Sequence, residues 1–295
     1  MNVLKKHFGE VAILLSTLLW GSIGIFTRGL TGLGFSSVQI VTVRAIITAI
    51  TMGVVIAIKD PKLFKFKLKD IWMFFGLGIC SFLFFNICYM SSIVENSLSV
   101  ACILMYTSPI WVTILSSFLF KERLTLKSVS ALIICFGGSA LVCLSSSLKL
   151  TKIGLVYGLL SGFGYALYSI FGKYAAEKYN TLTITFYAFS FAAVGALPIC
   201  NVKTLAPLVF TVNGSLLSVA IAVTCTILPY LLYTYGLSKT TAGKASILSI
   251  TEPCIAAIVG MIAFSEMLGI QGVLGILAVI GGLVLLESRK KIEKP

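Results

Sequence analysis

Two charged side chains stand inside stretches that are otherwise apolar. Glu252 lies beside Pro253 in the middle of the run 243–264, and Arg44 lies eight residues into the run 36–58. A charge at the centre of a membrane-crossing helix costs about 2.5–3.5 kcal/mol on insertion scales, so such residues face a partner or a polar cavity. Pro253 adds to the chemistry, because its missing N–H frees a helix carbonyl. The face that carries Glu252 reads Ala242, Ala245, Ser249, Glu252, Ala256 and Gly260, a small polar stripe at helical spacing. Such a stripe suits a cavity wall or a close helix contact. Three roles are open to the pair: a structural ion pair, recognition of a solute carboxylate or amine, and proton uptake and release by Glu252. At about 1.5 Å per residue, Arg44 lies about 12 Å and Glu252 about 18 Å below the same end, within reach of a direct or water-bridged contact. Glu252 is the functional expectation and Arg44 the structural one.

A second set is aromatic with polar tips. Phe82, Asn86 and Tyr89 recur at helical spacing, as do Ser161, Tyr165, Tyr168 and Gly172, and Ser16, Trp20 and Gly24. Tyr230 and Tyr233 belong with them. Rings with hydroxyl or amide tips offer area and hydrogen bonds to an amphipathic solute without adding charge. For Tyr89 and Tyr106 an interfacial belt is an equal reading; Trp20, Asn86, Tyr165, Tyr168 and Tyr230 are deeper and read as cavity lining. Pro109 and Pro253 are mid-run kinks that would let two helices bend as gates. Glu122 and Glu266 are placed to cap the helices that follow them, near Thr125 and Gly269. Gly137-Gly138 and Gly281-Gly282, with Gly272 and Gly275, suit close helix packing, within the chain or across a homodimer.

The elements that position these residues follow from composition. Of 295 residues, 58% are hydrophobic and 11% charged, against roughly 25% charged in soluble proteins. Ten spans of about 20 residues would use about 200 of them. Charge and turn clusters divide the chain into runs at 10–30, 36–58, 71–93, 98–120, 126–146, 153–173, 181–200, 211–236, 243–264 and 268–287. The first reads as a retained helix, because no small-residue cleavage site follows it. Unbroken apolar runs exclude a membrane β-barrel. The net charge of +13 comes from short lysine clusters between runs, which excludes a nucleic-acid face. The eight cysteines all lie in apolar runs and read as packing residues, with no disulfide or metal framework. His7 is the only histidine, and no nucleotide loop or zinc motif is present, so neither enzyme, cofactor nor metal is expected.

Charge also orients the chain. With the N-terminus cytoplasmic, 18 of the 23 Lys and Arg fall on cytoplasmic segments and four on the opposite side, with Arg44 inside a span. By the positive-inside rule both termini are expected in the cytoplasm, in the cytoplasmic membrane. The two halves, 1–146 and 147–295, repeat one another. A shift of 144 lays Thr107, Pro109, Phe120, Glu122 and Gly137-Gly138 over Thr251, Pro253, Phe264, Glu266 and Gly281-Gly282, and Tyr89 over Tyr233. Five spans per copy is odd, so the second copy is inverted, an architecture common in transporters with a midplane site.

Those residues carry a resemblance. Leu19-Trp20-Gly21-Ser22, Arg44, Tyr89, Ser108-Pro109, Lys121 to Leu124 and Gly137-Gly138, echoed by Tyr233, Glu252-Pro253, Glu266 to Leu268 and Gly281-Gly282, resemble the duplicated EamA domain of the drug/metabolite transporter superfamily across essentially the whole chain. The resemblance implies an all-α, ten-helix carrier with a cavity lined by helices 1, 3, 4, 6, 8 and 9, often exporting small polar or amphipathic metabolites such as amino acids. The expectation is a secondary transporter working by alternating access, its partners a small-molecule solute and the bilayer. A passive channel and a lipid-modifying enzyme are the alternatives.

Overall fold

A computed structural model describes residues 2–144, 151–265, 267 and 269–287. Among the described residues ten helices are long and apolar enough to cross a membrane: α1 (His7–Gly32), α2 (Ser37–Lys59), α3 (Leu68–Glu95), α4 (Leu98–Leu119), α5 (Leu126–Cys143), α6 (Lys152–Ala176), α7 (Thr181–Ile199), α8 (Val212–Lys239), α9 (Ala242–Phe264) and α10 (Ile270–Glu287). Their ends fall within about three residues of the runs read from sequence, because hydropathy and charge fix where a helix must leave the bilayer. An even number of crossings puts the start of α1 and the end of α10 at one end of the bundle, called proximal below; the other end is distal.

The inverted duplication shows in the local backbone. The runs read as single kinked helices are broken in both copies. α4 is α4a (Leu98–Met105) and α4b (Ser108–Leu119), and α9 is α9a (Ala242–Ser249) and α9b (Glu252–Phe264). Each distal or proximal first half stops just before a proline, whose ring would clash with the carbonyl four residues back. The loosened turns are closed the same way in each copy: Thr107 Oγ1 donates to the Leu104 carbonyl at 2.6 Å, and Thr251 Oγ1 to the Leu248 carbonyl at 2.9 Å. Lys121 and Ser265, one repeat shift apart, end these helices with φ of 52° and 53°, the left-handed stop that satisfies terminal carbonyls. α3 and α8 share wide π-type turns at Gly76–Leu83 and Val223–Ile227.

α5 and α10 pack along their whole length at the rim of the bundle. A side chain at Gly138 would strike the Gly275 carbonyl and Val279, and one at Gly282 would strike Cys135. This packing is therefore internal to the chain. Gly137 and Gly281 take no part in it: a methyl group at either would meet open space. Only one glycine of each pair faces the neighbouring helix, since adjacent residues point about 100° apart. The outer faces of this pair, including Ile133, Leu274, Ile280 and Val284, are exposed and apolar, as a lipid-facing surface must be.

Candidate functional site

Glu252 opens α9b, directly after the break, and is half-buried. Tyr165 of α6 donates its hydroxyl to Oε2 at 3.1 Å, and Tyr106, at the matching break of α4, lies near the carboxylate. The half-buried acid thus has a phenol as partner, and a charge taken out of water without one is costly. Around it lies a ring cluster. Trp20 meets Tyr165, Tyr230 and Tyr233 at centroid distances of 6.4, 5.1 and 5.4 Å. Phe85 stacks on Tyr165 at 5.1 Å and on Tyr89 at 6.0 Å. Tyr168 and Tyr230 pack edge to face at 4.8 Å, an arrangement favoured by ring quadrupoles. Hydroxyl pairs lock the proximal side: Tyr168 with Thr234 at 3.1 Å, and Tyr233 with Ser169 at 2.8 Å.

Trp20, Tyr165, Tyr168, Tyr233, Ser246 and Ser249 line a small cavity with room for about one water molecule. Ser249 turns its hydroxyl back to the Ser246 carbonyl. Asn86 is not brought into the cluster, because its amide donates to the Phe82 carbonyl of its own helix at 2.7 Å. Tyr106 is buried and Tyr89 reaches Cys102, so both point into the bundle rather than to an interfacial belt.

Arg44 is held apart from Glu252. Its Nε donates to Thr226 Oγ1 at 2.9 Å and its Nη2 to the Cys225 carbonyl at 3.3 Å, and its guanidinium lies 5.6 Å from the Phe82 ring centre. The ion pair inferred from similar depths does not form, because the wide turn of α8 offers Arg44 an acceptor that depth counting along α9 ignores. Arg44 ties α2 to α8.

The two broken helices make a fork. α4b and α9a pack together on the proximal side, whereas α4a packs on α6 and α9b on α1, with no comparable packing between α4a and α9b. Glu252 and Tyr106 sit where the arms part. Gly24, one turn beyond Trp20, borders empty space. The proximal end is closed by contacts that sequence reasoning missed. Glu122 accepts from the backbone N–H groups of Ala242 at 2.8 Å and Gly243 at 3.1 Å, capping α9a across the repeat boundary. Thr125 caps α5 itself, which corrects the role read for Glu122; Glu266 lies outside the described residues. Lys244 of α9a pairs with Glu10 and Glu287, and Lys173 donates to the Leu237 and Thr240 carbonyls at the end of α8. No periodicity marks these partners, since each pair joins residues more than 40 apart.

Among the described residues no cluster of three or more His, Cys, Asp or Glu could hold a metal ion. Comparison with known proteins gives the chain its relatives. A transporter of Archaeoglobus fulgidus described as uncharacterized is 28% identical over 95% of this chain and 96% of its own length. The Bacillus subtilis transporter YxxF is 25% identical over 97% and 92%, and the Salmonella typhimurium inner membrane transporter YicL is 23% identical over 96% and 97%. A solved crystal structure superposes with a TM-score of 0.79 over 95% of this chain and 96% of its own at 14% identity, which shows a shared fold. The EamA-like transporter family model matches twice, at residues 7–144 and 152–288, one match for each five-helix copy. With both five-helix copies matched, the chain belongs to the EamA-like transporter family.

Proposed function

We propose that the protein is a secondary transporter that carries amino acids or similar amphipathic amines outward across the cytoplasmic membrane by alternating access. The observation that carries this reading is the fork: α4 and α9 are joined on the proximal side and parted on the distal side, with Glu252 at the junction. A half-buried carboxylate bordered by tyrosine and tryptophan rings suits an ammonium group, which gains from both the charge and the ring faces. Arg44 directs two of its hydrogen bonds to α8, which leaves Glu252 as the group better placed for the solute. The lysine bias of the proximal end supports a cytoplasmic location for that end. In this state the site faces the distal crevice, and the cavity on its proximal side is too small for a solute. Transport follows when the inverted copies exchange shapes, so that α4a and α9b close while α4b and α9a part. Glu252 serves both as the amine's partner and as the group whose proton returns the empty carrier.

The test is counterflow of labelled amino acids, nucleobases and sugars in proteoliposomes, with and without a pH gradient, for wild type and Glu252→Gln. Saturable exchange of an amino-acid class, with gradient-driven accumulation absent in the variant, is expected. Saturable exchange of sugars or nucleobases alone overturns the amine reading. Non-saturating flux without counterflow overturns the carrier and leaves a channel.

A further inference from the structure

Eight cysteines serve a transporter poorly as chemistry and well as packing, but two of them are paired. Cys102 is in α4a and Cys143 ends α5. Their Sγ atoms are 3.0 Å apart, and both residues are half-buried. Among the described residues no other pair of thiols is in hydrogen-bonding contact. A disulfide needs about 2.05 Å, so closing the bond takes a movement of about 1 Å, within the range of side-chain rotation. The position is not neutral. α4a is one arm of the distal fork and, in the alternating-access reading, a wall of the solute path, while α5 is fixed along its length to α10 by the glycine contacts of Gly138, Gly275 and Gly282. Tyr89 lies beside Cys102 and leads through Phe85 to Tyr165 and Glu252.

We propose that Cys102 and Cys143 form a redox-active dithiol whose oxidation by a small disulfide ties α4a to α5 and stops the crevice wall from moving. The thiolate of Cys143 attacks one sulfur of the small disulfide, breaking its S–S bond and expelling one thiolate. The Cys102 thiolate then attacks the Cys143 sulfur of the mixed disulfide and expels the second thiolate. Two protein S–H bonds and one S–S bond are lost; one protein S–S bond and two S–H bonds are formed. Two electrons and two protons pass to the small disulfide, which leaves as two thiols. In the orientation proposed above the pair lies at the outer end, where disulfides persist. The lock rests on the alternating-access reading; the cross-link does not.

Full-length protein in lipid nanodiscs is incubated with oxidised glutathione for hours, since buried thiols exchange slowly, then alkylated, digested and sequenced by mass spectrometry. The expected result is a Cys102–Cys143 linked peptide as the main protein disulfide, removed by reductant and absent from Cys102→Ser and Cys143→Ser. Glutathione adducts without the link, or both thiols alkylated in folded wild type, overturn the proposal. In proteoliposomes, amino-acid counterflow by wild type is expected to fall at least about tenfold on oxidation and to recover on reduction, with counterflow by Cys143→Ser unchanged by oxidation. A complete cross-link with undiminished counterflow overturns the lock. Reduced protein without counterflow counts against the transport reading, and the linked peptide is judged separately.

Discussion

Glu122 closes the proximal end of the fork, and replacing it tests whether that end is a gate. Its carboxylate accepts two backbone N–H groups, of Ala242 and Gly243, at the positive end of α9a. Hydrogen bonds to a charged group contribute about 1.5–3 kcal/mol each, against about 0.5–1.5 kcal/mol for a neutral pair. Glu122→Gln removes the charge and leaves one neutral acceptor. At this half-exposed position water replaces part of the loss, so the closed arrangement weakens by about 2 kcal/mol. That is about a 30-fold shift toward proximal opening. Ser246, 2% exposed and lining the cavity behind the gate, is the reporter position. With Ser246→Cys as background, the rate of maleimide attachment at position 246 is read by mass spectrometry of its peptide, which isolates it from the native cysteines. The rate is expected to rise about 30-fold when Glu122→Gln is added, following the population shift. A rise of less than twofold, in protein whose thermal unfolding is unchanged, would refute the assignment of Glu122 as a latch.

Other expectations follow from the same contacts. Tyr165→Phe removes the hydroxyl 3.1 Å from Glu252; one charge-assisted hydrogen bond is worth about 1.5–3 kcal/mol, so the half-saturation concentration of amino-acid counterflow should rise at least about tenfold. Gly138→Ala places a methyl group 2.7 Å from the Gly275 carbonyl and should cost about 1–3 kcal/mol by overpacking, lowering the melting temperature in detergent. Gly137→Ala, facing open space, should raise it, because alanine is about 0.5–1 kcal/mol better than glycine within a helix. Arg44→Met strips the partner from Thr226 and the Cys225 carbonyl and should cost about 1–3 kcal/mol; the melting temperature falls, while the pH dependence of counterflow keeps its wild-type form.

The sequence by itself determined the ten spans, their ends and the inverted duplication. Hydropathy and lysine placement are local quantities that the bilayer reads directly, and a shift of 144 aligns Pro109 with Pro253 whatever the packing. It also singled out Glu252 and most of its rings, because a charge in an apolar run has few tolerable environments. Tertiary structure decided the partners. Arg44 and Glu252 lie at similar depths, yet Arg44 turns to α8, since depth along the membrane normal leaves direction around each helix open. Asn86 shares the helical spacing of the ring set but satisfies itself within one turn. The Glu122 latch joins residues 120 apart, and the contact of Cys102 with Cys143 joins α4a to α5. Periodicity assigns a residue to a face, whereas the neighbour that the face meets is set by how the helices pack.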